Sequence, residues 1–273
     1  MSRIEEALDK AITHYNSQAI SSPFEQAAPL LPPEPPMVEV NPGEHMLITM
    51  VSPHSVVAEE YRKLKEALIK EVRREQFSNV VLVASANPKE GKTVTTLNLA
   101  ICLSQEFDYT VLVVEADLRA PSCLRYLGLE GGPGLSDCLE GRAECSQALI
   151  RTPYGGLVLL PAGSPVSNPV ELISSNRMRQ FVQELKHRYP DRFILIDSPP
   201  ANLFAETRFL ASITDATILV VRERETSIED LAETAQALDN KIIGIVYNNA
   251  TTNLFEKKQA YYNGYGQPEA VES

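Results

Sequence analysis

The stretch "ASANPKEGKTVTTLNLA", residues 84 to 100, closes an apolar run and opens a segment with helical character. It contains Gly91-Lys92-Thr93, the tail of the phosphate-binding loop pattern G-x-x-x-x-G-K-[ST]. That pattern asks for a glycine five residues before Gly91, where this chain has Ala86. A chance Gly-Lys-Thr is common in surface loops, so the reading turns on what surrounds it.

Short β-branched runs read as buried strands at 79–85, 110–116, 156–162, 192–197, 216–222 and 241–247. Helical patterns stand between most of them, near 92–106, 170–189, 204–213 and 226–239. A further helix over 55–76 carries the stripe Val57, Tyr61, Leu64 and Leu68. Apolar strands without polar alternation, separated by helices, predict a doubly wound, mostly parallel α/β sheet covered on both faces. Right-handed crossovers then gather the strand C-termini on one edge, where ligands bind. The Gly-Lys-Thr lies on that edge, between a strand and a helix. Its amides from Glu90 to Val94, through Gly91, Lys92 and Thr93, face a phosphate at the positive end of the helix. Lys92 is suited to reach β- and γ-phosphates, and the Thr93 hydroxyl to ligate Mg²⁺.

Two more motifs end strands on the same edge. "VLVVEADLRAPS" (111–122) puts Glu115 and Asp117 two residues apart, followed by Arg119. One carboxylate is suited to hold Mg²⁺ or its waters and the other to accept a proton from an attacking hydroxyl. "FILIDSPP" (193–200) projects Asp197 from a rigid apolar strand, as a metal ligand requires, and two prolines stop the strand. Each motif alone has a bland alternative: a solvated carboxylate pair, or an aspartate capping a turn. In this order, at three strand ends, they make a nucleotide-and-magnesium site. Its reacting set is Lys92, Glu115, Asp117 and Asp197, with Thr93, Asp117 and Asp197 as metal ligands.

Composition is consistent with this. A 273-residue chain that is 44% hydrophobic and 22% charged suits one large α/β core. A formal net charge of -11 argues against nucleic acid as a partner. Cys102, Cys123, Cys138 and Cys145 form no C-x-x-C pair, and the histidines at 14, 45, 54 and 187 form no zinc pattern. No apolar run approaches the length of about 18 to 20 residues that a membrane span needs. Residues 1–17 read as an amphipathic helix along Ile4, Leu8, Ala11, Ile12 and Tyr15, and residues 18–46 as a Pro-rich linker. The core domain then runs over 47–255, and 256–273 is a flexible tail carrying Tyr261, Tyr262 and Tyr265. Tyr247, inside a strand pattern, reads as core.

Together these residues resemble the bacterial tyrosine kinases, P-loop protein kinases of polysaccharide export. "ASANPKEGKTVTTLNLA", "VEADLRAPS" and "LIDSPP" look like that family's Walker A, A′ and B motifs. "PHSVVAEEYRKLK", "GLSDCLEG", "LLPAGSPVSNPVELISS" and "IIGIVYNN" also follow its pattern. "SRIEEALDKA", "RYPDRFILIDSPP" and "AETRFLAS" are similar to the exosortase-associated autokinases of exopolysaccharide loci. The resemblance implies a P-loop NTPase fold of the MinD/ParA type and ATP with Mg²⁺ as cofactors. It implies phosphorylation of Tyr261, Tyr262 and Tyr265 by a neighbouring subunit, and Asn248 near the adenine. It implies a homo-oligomer, closing as a ring, through an E-x-x-R-x-x-R motif represented here by Glu59, Arg62 and Lys65. The implied partners are a transmembrane co-polymerase, which activates a cytoplasmic kinase and holds it at the inner face of the plasma membrane, and a cognate tyrosine phosphatase.

The chain departs from the family pattern at three places: Lys89 stands for a usual glycine, Glu115 for the first aspartate of D-x-D, and Lys65 for the last arginine of the oligomerisation motif. Two alternatives stay open at this point. One is a MinD/ParA-like ATPase, which would carry a signature lysine five residues before Lys92, where this chain has Asn87. The other is a catalytically weak nucleotide-binding scaffold of the export complex.

Overall fold

The computed structural model describes residues 46–74, 79–106, 109–188, 192–238 and 241–251. Residues 1–45 and the tail, with Tyr261, Tyr262 and Tyr265, lie outside the described residues. Helices α1 (Ile48–Val51) and α2 (Val56–Arg74) precede β1 (Val80–Ser85), α3 (Lys92–Ser104) and β2 (Val111–Glu115). Short helices α4 (Cys123–Leu127), α5 (Leu135–Glu140) and α6 (Cys145–Ala148) lead to β3 (Ile150–Arg151) and β4 (Leu157–Leu160). Then follow α7 (Pro169–Ile173), α8 (Asn176–Arg188), β5 (Phe193–Asp197) and α9 (Ala205–Ile213). The described chain closes with β6 (Ala216–Arg222), α10 (Ile228–Ala237) and β7 (Ile242–Asn248).

The strands form one seven-stranded sheet in the order β3-β4-β2-β5-β1-β6-β7. Every adjacent pair is parallel except β3 with β4. The apolar runs explain this directly. Side chains alternate across a strand, so Val80, Leu82 and Ala84 enter one core with Ile194, Ile196 and Phe181, while Val81 enters the other with Leu97, Ile101 and Leu195. All six expected strands are present. The two-residue β3 was not expected, being too short to show a pattern.

The helix expected over 170–189 is two helices. Pro169 starts α7, and the Ser175 hydroxyl accepts the Met178 amide at 3.2 Å, so the serine pair ends one helix and caps the next. On α2 the buried face runs through Ala58, Lys65, Leu68 and Val72, while Val57 is exposed. The expected stripe was therefore misplaced at its start. Tyr247 is also exposed, because β7 is an edge strand whose outer side chains, with Ile243 and Ile245, are not covered by any described residue.

Asp137 on α5 organises the turn after β4. Its Oδ2 accepts the Gly134 amide at 3.0 Å and the Ser164 amide at 2.9 Å, and its Oδ1 accepts from Arg142 Nε at 3.1 Å. Gly163 has φ +86, and a Cβ there would lie 2.4 Å from Asp137 Oδ2, so the close approach requires glycine. These contacts join the "GLSDCLEG" and "LLPAGSP" segments. Burial alone would raise the Asp137 carboxyl, but the Ser164 and Gly134 amides and the Arg142 guanidinium outweigh it and hold the group at about 2. Asp137→Ala should lower unfolding stability by on the order of 2 kcal/mol at pH 7. Because the folded carboxyl is more acidic than the unfolded one, this contribution is complete above about pH 4 and is lost as pH falls towards about 2. Urea titrations of the two proteins should converge over that window.

Candidate active site

Three neighbouring strands end together. β1 leads into the loop before α3, β5 ends at Asp197, and β2 ends at Glu115, which pairs with Asp197 in the sheet register. The loop between β1 and α3 is braced from several directions. Gly91 caps α3 with φ +95, and a Cβ on it would lie 2.0 Å from Asn248 Nδ2. Asn248 donates from Nδ2 to the Glu90 carbonyl at 2.8 Å and accepts the Asn249 amide on Oδ1 at 2.9 Å. The Glu90 carboxylate is buried, accepting the Asn87 amide at 3.0 Å and the Thr226 hydroxyl. Asn87 Nδ2 reaches Asp230 Oδ2 at 3.1 Å, and Arg222 Nη1 donates to the Lys89 carbonyl at 3.0 Å. Lys89 is held at φ 63, a left-handed conformation that costs a residue with a Cβ about 1 kcal/mol relative to glycine.

Beyond this loop the charged groups converge. Lys92 Nζ lies 3.3 Å from Asp117 Oδ2, and Asp117 Oδ1 accepts the Ala120 amide at 3.1 Å. The Thr93 hydroxyl donates to Asp197 Oδ2 at 2.7 Å. Burial, helped by the Glu115 and Asp117 carboxylates, raises the Asp197 carboxyl to about 7 against the downward pull of the Lys92 ammonium and Thr93 hydroxyl. A cavity of about 650 Å³ opens here, lined by Lys89, Lys92, Thr93, Val94, Tyr126 and Asn248 among others. That is within the range of small-ligand sites, roughly 300 to 1,000 Å³.

Among the described residues no three His, Cys, Asp or Glu side chains form a ready-made metal cluster. Mg²⁺ does not need one, because it binds through one or two protein oxygens and takes the rest from phosphates and water. Thr93 and Asp197, in contact and beside a second carboxylate at Asp117, fit that requirement.

Both Glu115 carboxylate oxygens bond backbone amides. Its Oε1 accepts the Ser122 and Cys123 amides at 2.5 and 2.6 Å, and its Oε2 accepts the Ala162 amide at 3.1 Å. Of the two carboxylates, Asp117 pairs with Lys92, and Glu115 fastens the backbone.

Residues 81–265 match the CobQ/CobB/MinD/ParA nucleotide binding domain. The chain is 30% identical over 233 residues to the tyrosine-protein kinase YwqD of Bacillus subtilis, covering 83% of this chain and 94% of YwqD. The chain belongs to the bacterial tyrosine-protein kinases. It spans a smaller share of other relatives, such as 25% of the tyrosine-protein kinase ptk of Acinetobacter johnsonii, at 26% identity. Among solved structures, the BceF tyrosine kinase domain superposes with a TM-score of 0.66 at 27% identity, covering 74% of this chain and 81% of that one. The septum site-determining protein MinD of Pyrococcus horikoshii, complexed with Mg-ADP, gives 0.52 at 26% identity, covering 61% of this chain and 67% of that one.

The kinase's Lys65 lies on the same helix as Glu59 and Arg62. It is buried on the inner face of α2, where its ammonium pairs with Glu106 and Glu66 of the same chain. Glu59 and Arg62 stay half-exposed and pair with each other at 2.5 Å. Sequence reading missed Arg222, Thr226 and Asp230, which brace the loop from β6 and α10 over more than 130 residues of chain. It also gave no role to Arg119, which stacks over Phe204 at 4.4 Å and bonds the buried Glu206 at 2.7 Å. No spacing rule reports such distant pairs.

Gly91→Ala is expected to destabilise the kinase by about 1–3 kcal/mol, from the left-handed φ and the Asn248 clash together. In an Asn248→Ala background the clash is gone, so Gly91→Ala should lose less. A double-mutant cycle on urea denaturation checks this coupling.

Proposed function

We propose that the kinase transfers the γ-phosphoryl group of ATP to Tyr261, Tyr262 and Tyr265 of a neighbouring copy. The observation that carries this reading is the meeting of two pairs at adjacent strand ends, Lys92 with Asp117 and Thr93 with Asp197. Lys92 would leave Asp117 for the β- and γ-phosphates, freeing that carboxylate to accept the proton of the attacking tyrosine hydroxyl. The bond from γ-phosphorus to the bridging oxygen then breaks, the bond to the tyrosine oxygen forms, and ADP leaves. Thr93 and Asp197 would hold Mg²⁺, which when bound neutralises phosphate charge. The amides of Glu90, Gly91 and Val94 would cradle the phosphates, and Asn248 would place the loop beside the adenine.

Copies would assemble through Glu59 and Arg62, whose pair within the chain can be exchanged for a pair between chains; a head-to-tail contact of this kind closes into a ring. Among the described residues no helix is long and apolar enough to cross a membrane. A transmembrane co-polymerase would therefore hold this cytoplasmic kinase at the inner face of the plasma membrane and activate it. Each phosphate adds roughly −1.5 to −2 charges to the tail. Added to a chain at -11, that charge would drive copies apart, and a tyrosine phosphatase would reset them. The cycle would regulate exopolysaccharide polymerisation and export. A MinD-like ATPase reading is less favoured, since Asn87 replaces the signature lysine and is bonded to Asp230.

Anti-phosphotyrosine blotting tests the proposal. Wild type incubated with ATP and Mg²⁺ should be positive, and both Lys92→Met and the triple variant Tyr261→Phe, Tyr262→Phe, Tyr265→Phe should be negative. Mixing the two variants should restore signal on the Lys92→Met chain, because one supplies the site and the other the acceptors. Undiminished signal on the triple variant, or none in the mixture, would refute transfer to these tyrosines between copies.

A further inference from the structure

We infer that Lys89 is a second phosphate-binding cation, adding its ammonium to that of Lys92 at a nucleoside polyphosphate. This rests on the nucleotide reading of the site and adds a residue to it. The first observation is conformational. A lysine held at φ 63 occupies backbone space where side chains are disfavoured, and Arg222 secures that conformation through the Lys89 carbonyl. The second is placement. The Lys89 side chain is exposed and lines the same cavity as Lys92 and Thr93.

The third is charge. Lys92 lies against Asp117 in an edge that also buries Asp197, so one ammonium already has two carboxylates nearby before any phosphate arrives. The other cations on the cavity are committed: Arg222 to the Lys89 carbonyl, and Arg125 over the Tyr126 ring at 4.8 Å. Lys89 has no ion-pair partner among the described residues. In a chain of net charge -11, a cation fixed on the loop by a strained backbone offsets repulsion of an anionic ligand. Affinity should then rise with the number of phosphates the ligand carries.

Calorimetric titration of the full chain with ATP–Mg²⁺, ADP–Mg²⁺ and AMP tests this, using wild type, Lys89→Gly, Lys89→Asn and Lys89→Arg. Asparagine tolerates the left-handed conformation, so it removes the charge with little change in strain. ATP affinity should fall about tenfold in Lys89→Gly and Lys89→Asn, ADP affinity less, and AMP affinity not at all. Lys89→Arg should stay near wild type, and the salt dependence of ATP binding should flatten in the two neutral variants. Lys89→Gly should also melt about 2–4 °C higher, because the strain is relieved. A residue with only a backbone role would give the higher melting temperature with ATP affinity unchanged, and that result overturns the inference. Equal losses for ATP and AMP overturn it as well. If wild type binds no nucleotide, the underlying site reading fails with it, and Lys92→Met would then show no binding to lose.

Discussion

A carboxylate taken out of water must be paired or hydrogen-bonded, or it destabilises the fold by several kcal/mol. Glu90, Glu115, Asp117, Asp137, Asp197 and Glu206 are all buried, and all sit at or just beyond the C-terminal edge of the sheet. How each is compensated explains the architecture of that edge. Glu115 and Asp137 collect backbone amides, which fixes the loops that follow β2 and β4. Glu90 collects an amide and a hydroxyl, which ties the phosphate loop to the β6 side of the sheet. Asp117 adds the Lys92 ammonium to the Ala120 amide, and Asp197 takes the Thr93 hydroxyl. Lys92 and Thr93 are side chains of α3, so the same helix start supplies both.

What the sequence made legible is the local part. The strands were readable because apolar β-branched runs are local, and the Gly-Lys-Thr and Asp197 were readable because strand-end motifs need no distant partner. The long helix divided at Ser174 and Ser175 shows where local periodicity stops being a guide, since the capping hydroxyl of Ser175 counts for more than the apolar spacing around it. Lys65 shows the limit more sharply. Its place in a charged motif suggested a surface role, but its position on the inner stripe of α2 puts it against Glu106, 41 residues away. The Arg222, Thr226 and Asp230 braces were illegible for the same reason: they are ordinary polar residues until the sheet brings β6 beside β1.

Glu115 illustrates how a departure from a family pattern can be absorbed. The extra methylene relative to aspartate carries the carboxylate to the Ser122, Cys123 and Ala162 amides. It thereby joins the end of β2, the start of α4 and the turn after β4 in one contact. Asp117, two residues on, is left as the carboxylate that pairs with the Lys92 ammonium.

The first described residues attach to α3. Leu47 is fully buried, Thr49 bonds Asn98 Oδ1 through its amide and hydroxyl at 3.0 and 2.8 Å, and Asn98 Nδ2 bonds the Met46 carbonyl at 3.0 Å. Asn98 belongs to α3, the helix that begins with Lys92 and Thr93, and its Nδ2 also holds the Val94 carbonyl. Met46 and Thr49 are therefore held less than two helical turns from the Lys92 end of α3. The described chain is thus anchored, ahead of its first long helix, directly on the helix that carries Lys92 and Thr93.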